Sequence, residues 1–388
     1  MTDSFATMLV HDDLESGPVV PPIHQSSLFT FDNVAQMVET FSGGNERPIY
    51  TRGNNPTVRV FEDKIAALEG GEAARGFASG MAAIAATILA FARSGDRIVC
   101  VRNVYPDTYR LMRRLLVRLG IETVFVDGRD LDALEKALEG ASLLYLESPT
   151  SVIFEAHDIR AQADLARQAG AVSVIDNSWA TPVFQRPLAL GVDIVVHSAS
   201  KYISGHSDTV AGVAIGSRER IRQINTLTYP FLGGKLAPFE AWLLLRGLRT
   251  LGLRMRRHND SVTRVSDWMR KRPEVAKINL PELSNASGAL SGRGGLFSIE
   301  LADGVDPIRF CDTLRLFRLG VSWGGHESLV FPMAVGLNQA GEHNALVDFG
   351  VPPQLVRLNI GLEEPEDLVA DLDIAIRAAA RNGKGSQG

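Results

Sequence analysis

The sequence predicts an α/β protein with a mostly parallel central sheet, followed by a smaller α+β unit. Three observations carry this. From Gly76 to Val196, strand-like and helix-like stretches alternate, which is the rhythm of βαβ units. Inside that region, Val172–Ile175 and Ile194–Val196 are short, largely apolar runs, as expected of central strands covered on both faces. After Gly216 the rhythm gives way to one long helical stretch and then to strands and helices in mixed order.

Residues 1–55 read as an arm, punctuated by Pro18, Pro21, Pro22 and Gly43-Gly44. Helical spacing begins with Val60, Ile65 and Leu68 and stops at Gly70-Gly71. The small-residue turn Gly76-Phe77-Ala78-Ser79-Gly80 leads into an Ala-rich helix ending near Ala92. Strand Arg97–Val101, a helix through Leu111, Leu115 and Leu119, and strand Thr123–Val126 come next. A helix near Leu131–Leu138, strand Leu143–Leu146 and a helix over Arg160–Ala169 lead to the two central strands. A helix from about Pro238 to Trp268 joins two units, placed at 56–240 (α/β) and 241–388 (α+β). In the second, Leu296–Leu301 and Leu355–Ile360 read as strands, with Pro307–Leu319 and Glu366–Ala380 helical.

Composition narrows the function. The formal charge of −5 comes with scattered basic residues, so nucleic acid is not an expected partner. Cys100 and Cys311 stand far apart, which indicates neither a disulfide framework nor a thiolate metal site. His197, His206 and Asp208 match no ligand spacing, so no metal is expected. Met1–Val10 lacks the pattern of a secretory signal, and Gly80–Phe91 is too short to span a membrane. A cytoplasmic enzyme is the expectation.

The two central strands end in Asp176-Asn177-Ser178-Trp179 and His197-Ser198-Ala199-Ser200-Lys201. Ligands bind beyond the carboxyl ends of such strands, so a carboxylate and an amine face one crevice. A carboxylate that charges a ring nitrogen and a lysine that condenses with a carbonyl are what pyridoxal phosphate requires. Taken singly, Lys201 could be a solvated loop lysine and Asp176 a cap. Ser79-Gly80-Met81 opens a helix, whose free N–H groups suit a phosphate, although most such turns are only caps. Tyr50 and Arg52 would suit the same dianion, the alternative being a solvated arginine beside a packed tyrosine. Arg357, on an apolar strand, calls for either a substrate carboxylate or an internal salt bridge.

Taken together, these motifs resemble the Cys/Met-metabolism family of pyridoxal-phosphate enzymes, which includes the cystathionine lyases, methionine γ-lyase, cystathionine γ-synthase and the homoserine sulfhydrylases. The resemblance covers nearly the whole sequence. It is carried by Tyr50-Thr51-Arg52-Gly53-Asn54-Asn55-Pro56-Thr57, Glu147-Ser148-Pro149-Thr150, Asp176-Asn177-Ser178-Trp179, Ser198-Ala199-Ser200-Lys201-Tyr202, Gly205-His206-Ser207-Asp208 and Val356-Arg357-Leu358-Asn359-Ile360.

The resemblance implies a fold-type-I, aspartate-aminotransferase-like architecture and a homotetramer of two active-site-sharing dimers. Lys201 would bond the cofactor and shuttle protons, Asp176 would pair with the ring nitrogen, and Tyr105 would stack on the ring and assist the leaving group. Ser79, Gly80, Met81, Ser198 and Ser200 would hold the phosphate, with Tyr50 and Arg52 reaching it from the neighbouring subunit. Arg357, Ser322 and Ser151 would bind the carboxylate of an amino-acid substrate. The sequence departs from the family pattern at Pro106-Asp107, Ser151, Ser200, Val321 and His326. Asp107, next to the ring-stacking tyrosine, suggests a substrate with a cationic distal group, either cystathionine's second amine or a guanidino group such as canavanine's. The alternative is a surface helix cap. The activity implied is a lyase that breaks a carbon–sulfur or carbon–oxygen bond of an amino-acid substrate by β- or γ-elimination. The rivals are a transferase of the cystathionine γ-synthase or O-acylhomoserine sulfhydrylase type and, in another class, a non-catalytic binding protein on the same fold.

Overall fold

In the computed structural model, residues 4–11, 17–284, 286 and 288–380 are described; the expectations touching residues 1–3 and the last eight residues lie outside these. The larger sheet has seven strands in the order β1-β7-β6-β5-β4-β2-β3. They are β1 (Ala73–Phe77), β2 (Arg97–Val101), β3 (Glu122–Val126), β4 (Leu143–Glu147), β5 (Val172–Asp176), β6 (Ile194–His197) and β7 (Gly212–Gly216). The run from β3 to β6 is parallel, whereas β7 lies antiparallel between β6 and β1. All residues of β4, β6 and β7 are buried, which explains why these strands lack a polar alternation.

The sequence reading missed β1 and β7, taking Gly76–Gly80 for a turn and Gly216 for an end. Ala-Ala-Arg-Gly-Phe and Gly-Val-Ala-Ile-Gly carry few of the β-branched and aromatic residues that mark strands. Close approach demands the glycine at 212: a Cβ there would lie 2.2 Å from the carbonyl oxygen of Ser79.

The second sheet has five strands in the order β10-β11-β12-β9-β8. They are β8 (Val275–Asn279), β9 (Leu296–Leu301), β10 (Arg318–Leu319), β11 (Leu329–Pro332) and β12 (Leu355–Asn359). The helix expected over Pro307–Leu319 ends at Thr313, and Arg318–Leu319 is strand. The buried Asp371 carboxylate causes the break. It accepts the N–H groups of Arg315 and Leu316 at 3.0 and 2.8 Å, drawing the backbone out of the helix just after Leu314 turns extended.

Helix Pro238–Met269 serves both cores. Leu244, Leu248, Leu251 and Met255 pack into the larger one, and Val262, Val265 and Met269 into the smaller. Arg254, buried in its middle, donates to the carbonyls of Tyr202 and Gly247 at 2.7 and 2.8 Å, which ties the helix to the segment after Lys201. The arm contains helices Phe5–Val10 and Val34–Phe41, and a bridge between Leu28 and Tyr50. Among the described residues, no helix is long and apolar enough to cross a membrane.

Candidate active site

Strands β4, β5 and β6 bring Glu147, Asp176 and His197 to one edge of the sheet, with Glu147 registered against Asp176 and Asp176 against Val196. Lys201 follows β6 on a turn fixed by its N–H to Ser198 O (3.1 Å) and by Gly205 N–H to its own carbonyl (2.8 Å). Its Nζ donates to Ser322 Oγ at 2.6 Å and lies 5.3 Å from the centroid of the Trp323 ring. Burial, reinforced by the charge of Arg357 and opposed by Asp176, brings the amine down to about 8. Such an amine loses its proton near neutrality, which condensation with a carbonyl requires.

Asp176 is pushed upward by burial, against the hydrogen bonds from Ser178 and the charges of His197 and Lys201. The N–H of Ser178 donates to its Oδ1 at 2.9 Å. Beside it, burial and the charge of Asp176 push Glu147 up to about 8, so the two acids titrate as a pair. The sequence motif contains Glu147 without suggesting a role for it. Its position matches that of Asp176, an acid closing an apolar strand, and that signal could have found it. Glu147 accepts the N–H of Tyr105 at 2.8 Å and the hydroxyl of Ser151 at 2.5 Å. Ser151 is thereby committed to an acid of its own protein, not to a substrate carboxylate as expected.

The phosphate end is built on helix Gly80–Phe91. Ser79 Oγ caps it by accepting the N–H of Ala82 at 3.0 Å, and the first-turn N–H groups of Gly80 and Met81 have no hydrogen-bond acceptor among the described residues. A Cβ at position 80 would lie 2.9 Å from Ser198 Cβ, so glycine lets the helix start and the post-β6 turn close on each other. Ser198 is held through its N–H by Ser178 Oγ at 2.6 Å. The Ser200 hydroxyl donates to Ala211 O (3.2 Å) and accepts its N–H (2.9 Å), pinning the loop that returns to β7.

Tyr105 precedes helix Pro106–Arg110 and keeps 40% of its surface exposed. Its hydroxyl donates to Asp107 Oδ2 at 2.9 Å, while Arg110 grips Oδ1 through Nε and Nη2 at 2.9 and 2.5 Å. Burial first, and the Asp107 charge second, push the phenol up to about 12. The cation that the sequence assigns to a substrate is thus already supplied to Asp107 within the protein. The side chain is 44% exposed and its cation is Arg110, one helical turn away.

Arg357 lies at the same mouth. Its Nη2 donates to Val321 O at 2.8 Å, and its guanidinium sits 5.3 Å from the Phe331 ring centroid. Burial draws it down to about 10, so it stays charged at neutral pH. No carboxylate among the described residues pairs with it; Ser322, expected beside it on substrate, accepts from Arg357 Nη2 through its carbonyl at 3.4 Å while its hydroxyl accepts from Lys201.

Tyr50 and Arg52 are not brought to this crevice. Tyr50 is 49% exposed, and the Arg52 guanidinium lies 5.7 Å from its ring. Together they line a separate groove of about 410 Å³ on the arm. His197 and His206 are engaged separately, each with its own partner. His197 Nε2 meets Glu69 at 2.6 Å, and His206 Nδ1 meets Ser204 O at 2.6 Å.

A proton-losing amine, a buried acid at a strand end and a helix start with free N–H groups make a donor set that fits pyridoxal phosphate. Residues 6–377 match the family described as Cys/Met metabolism PLP-dependent enzyme. The protein is 37% identical to the L-methionine gamma-lyase of Pseudomonas putida, over 97% of its own length and 98% of that relative. It is 35% identical to the cystathionine gamma-lyase of Bacillus subtilis, over 95% and 98%. The crystal structure of cystathionine gamma-lyase from Lactobacillus plantarum complexed with L-serine superposes with a TM-score of 0.89 at 35% identity, over 97% of this protein and 99% of that one.

Proposed function

The protein belongs to the Cys/Met-metabolism family of pyridoxal-phosphate-dependent enzymes. Within it we propose a lyase that breaks a carbon–sulfur or carbon–oxygen bond of an amino-acid substrate by β- or γ-elimination. The observation that carries this reading is the convergence of Lys201, Tyr105 and Arg357 on one mouth, with Arg357 lacking any carboxylate partner among the described residues.

When bound, the cofactor would supply a carbonyl for an amine and an electron sink for the pair left at Cα. The protein supplies the rest. Asp176, buried and held by Ser178, would pair with the ring nitrogen, and the N–H groups of Gly80 and Met81 would hold the phosphate. Arg357 fixes the substrate carboxylate through its fork of donors. Lys201, oriented by Ser322 Oγ, takes the Cα proton; for a γ-substituent it also takes one from Cβ. The Tyr105 phenol keeps its proton at neutral pH and can give it to the departing sulfur or oxygen.

The distal group of the substrate is read as cationic, an amine or a guanidinium. Asp107 stands beside the leaving-group tyrosine with nearly half its side chain open, and Arg110 has Gln339 Oε1 as a second partner at 3.1 Å if a substrate cation takes its place. The assembly is read as a homotetramer of active-site-sharing dimers, with Tyr50 and Arg52 serving the cofactor phosphate of the neighbouring copy.

Incubation with cystathionine, methionine, canavanine and O-acylhomoserines, with all products quantified, tests the activity. Ammonia and a 2-oxo acid from substrate alone are expected. A strict requirement for added thiol would replace the lyase by a transferase, and homoserine without oxo acid would mark γ-elimination followed by hydration.

A further inference from the structure

The cofactor's phosphate is a dianion, and the cradle this protein offers it consists of backbone N–H groups and hydroxyls: Ser79, Gly80, Met81, Ser198 and Ser200 include no cation. The arm groove is its complement. It is lined by Arg52 and Lys235 together with Tyr50, Ser26 and Ser27. Among the described residues neither cation has a carboxylate partner; Arg52 lies over the Tyr50 ring, and no ion pair involves Lys235. Two cations lining one groove, with no carboxylate partner among the described residues, suit an anion.

The neighbouring residues are apolar and exposed. Leu28, next to Ser27, is 54% exposed. Phe231 and Leu232, beside the Gly233 turn, are 79% and 54% exposed, and Phe239, next to Pro238, is 52% exposed. Large apolar side chains left exposed next in sequence to the groove's lining residues suit a surface covered by a second copy of the protein. The Lys235 segment is rigidly placed. Ala78 N–H donates to Gly234 O at 2.8 Å, Lys235 bridges Phe77, and the turn is closed by Gly233 at φ +72°.

From this complementarity we infer that Lys235 is a third group, with Tyr50 and Arg52, of a phosphate site completed in trans, in which each copy supplies two cations to the cofactor phosphate held by its neighbour's cradle. The inference rests on the active-site-sharing reading and adds to it a residue that no motif singled out. Lys235 is a binding residue for the phosphate and takes no part in the chemistry.

The test is cofactor affinity, read without turnover. The apoprotein is titrated at equilibrium with pyridoxal phosphate and, separately, with pyridoxal, which lacks the phosphate. Lys235→Gln is expected to weaken pyridoxal phosphate about tenfold, the size of one lost charge-assisted contact, and to leave pyridoxal unchanged. Lys235→Arg restores the affinity. Equal weakening of both ligands, or of neither, overturns the inference. Arg52→Gln separates the two levels. If Arg52→Gln weakens pyridoxal phosphate and Lys235→Gln does not, only the role of Lys235 falls; if neither does, the shared-site reading falls with it. Mixing Lys235→Gln subunits with Lys201→Ala subunits decides the direction. Borohydride fixation of limiting cofactor on the Lys235→Gln subunit recovers if Lys235 acts in trans and stays low if it acts within its own subunit, which would overturn the proposal.

Discussion

The hydroxyl of Tyr105 donates to Asp107 Oδ2 at 2.9 Å, and the carboxylate that holds it is itself held by Arg110. Phenol, carboxylate and guanidinium form one relay across the mouth of the site. The negative charge in its middle raises the phenol. Asp107→Asn removes that charge, so the phenol loses its proton at lower pH. The alkaline limb of kcat/KM is expected to move down by about one pH unit. Measured on canavanine and methionine in parallel, the variant should lose more on the cationic substrate; equal losses would remove the case for a distal cation.

Lys201 should attach the cofactor only as the free amine. With its amine near 8, the rate of cofactor attachment to the apoprotein should climb about tenfold per pH unit below that value and level off above it. Stopped-flow absorbance across a pH series spanning that value checks this, and Lys201→Ala should abolish borohydride fixation.

Gly80→Ala places a methyl group 2.9 Å from Ser198 Cβ, between the two elements that grip the phosphate. Cofactor affinity should fall by about tenfold or more, with the circular dichroism of the apoprotein little changed.

Arg357→Lys keeps the charge and loses the fork. KM for the amino acid should rise by about 10- to 100-fold, with a smaller effect on kcat, and the cofactor spectrum should be unaltered.

His258 is buried, donates Nδ1–H to Ile360 O at 2.9 Å and is brought by burial down to about 4. The unfolded polypeptide binds its proton near pH 6.5 while the folded protein does not until about 4, so stability falls as pH drops through that window. The contribution is about 3 kcal/mol at most. In urea titrations on either side of that window, near neutrality and near its acid end, His258→Gln should lose less stability on acidification than the parent.

The parallel strands were legible because β4, β5 and β6 are buried on both faces and contain almost nothing polar except at their last residues. Lys201 and Asp176 could be read for the same reason, since each breaks an apolar run at the sheet edge. What escaped was set by distant partners. Asp371, more than fifty positions downstream, ends the helix at Thr313, and β1 and β7 are made strands by pairing with each other, not by their composition. Asp107 could be located but not interpreted, because i,i+3 pairing with Arg110 depends on a helix starting at Pro106. Glu147 was overlooked although it ends its strand as Asp176 does.

Residues 73–77 meet residues 212–216 across almost the whole length of the larger unit, and the Ser79 carbonyl packs against Gly212 at the end of that ladder. During synthesis, the half of the phosphate cradle at Ser79 and Gly80 therefore emerges long before the strand that anchors it to Ser198. Loop closure over such a span slows folding. A nascent polypeptide halted before Gly212 would expose the open edge of β6 to other strands and could not retain its cofactor. Cofactor capture thus reports that the last strand of the sheet has been seated.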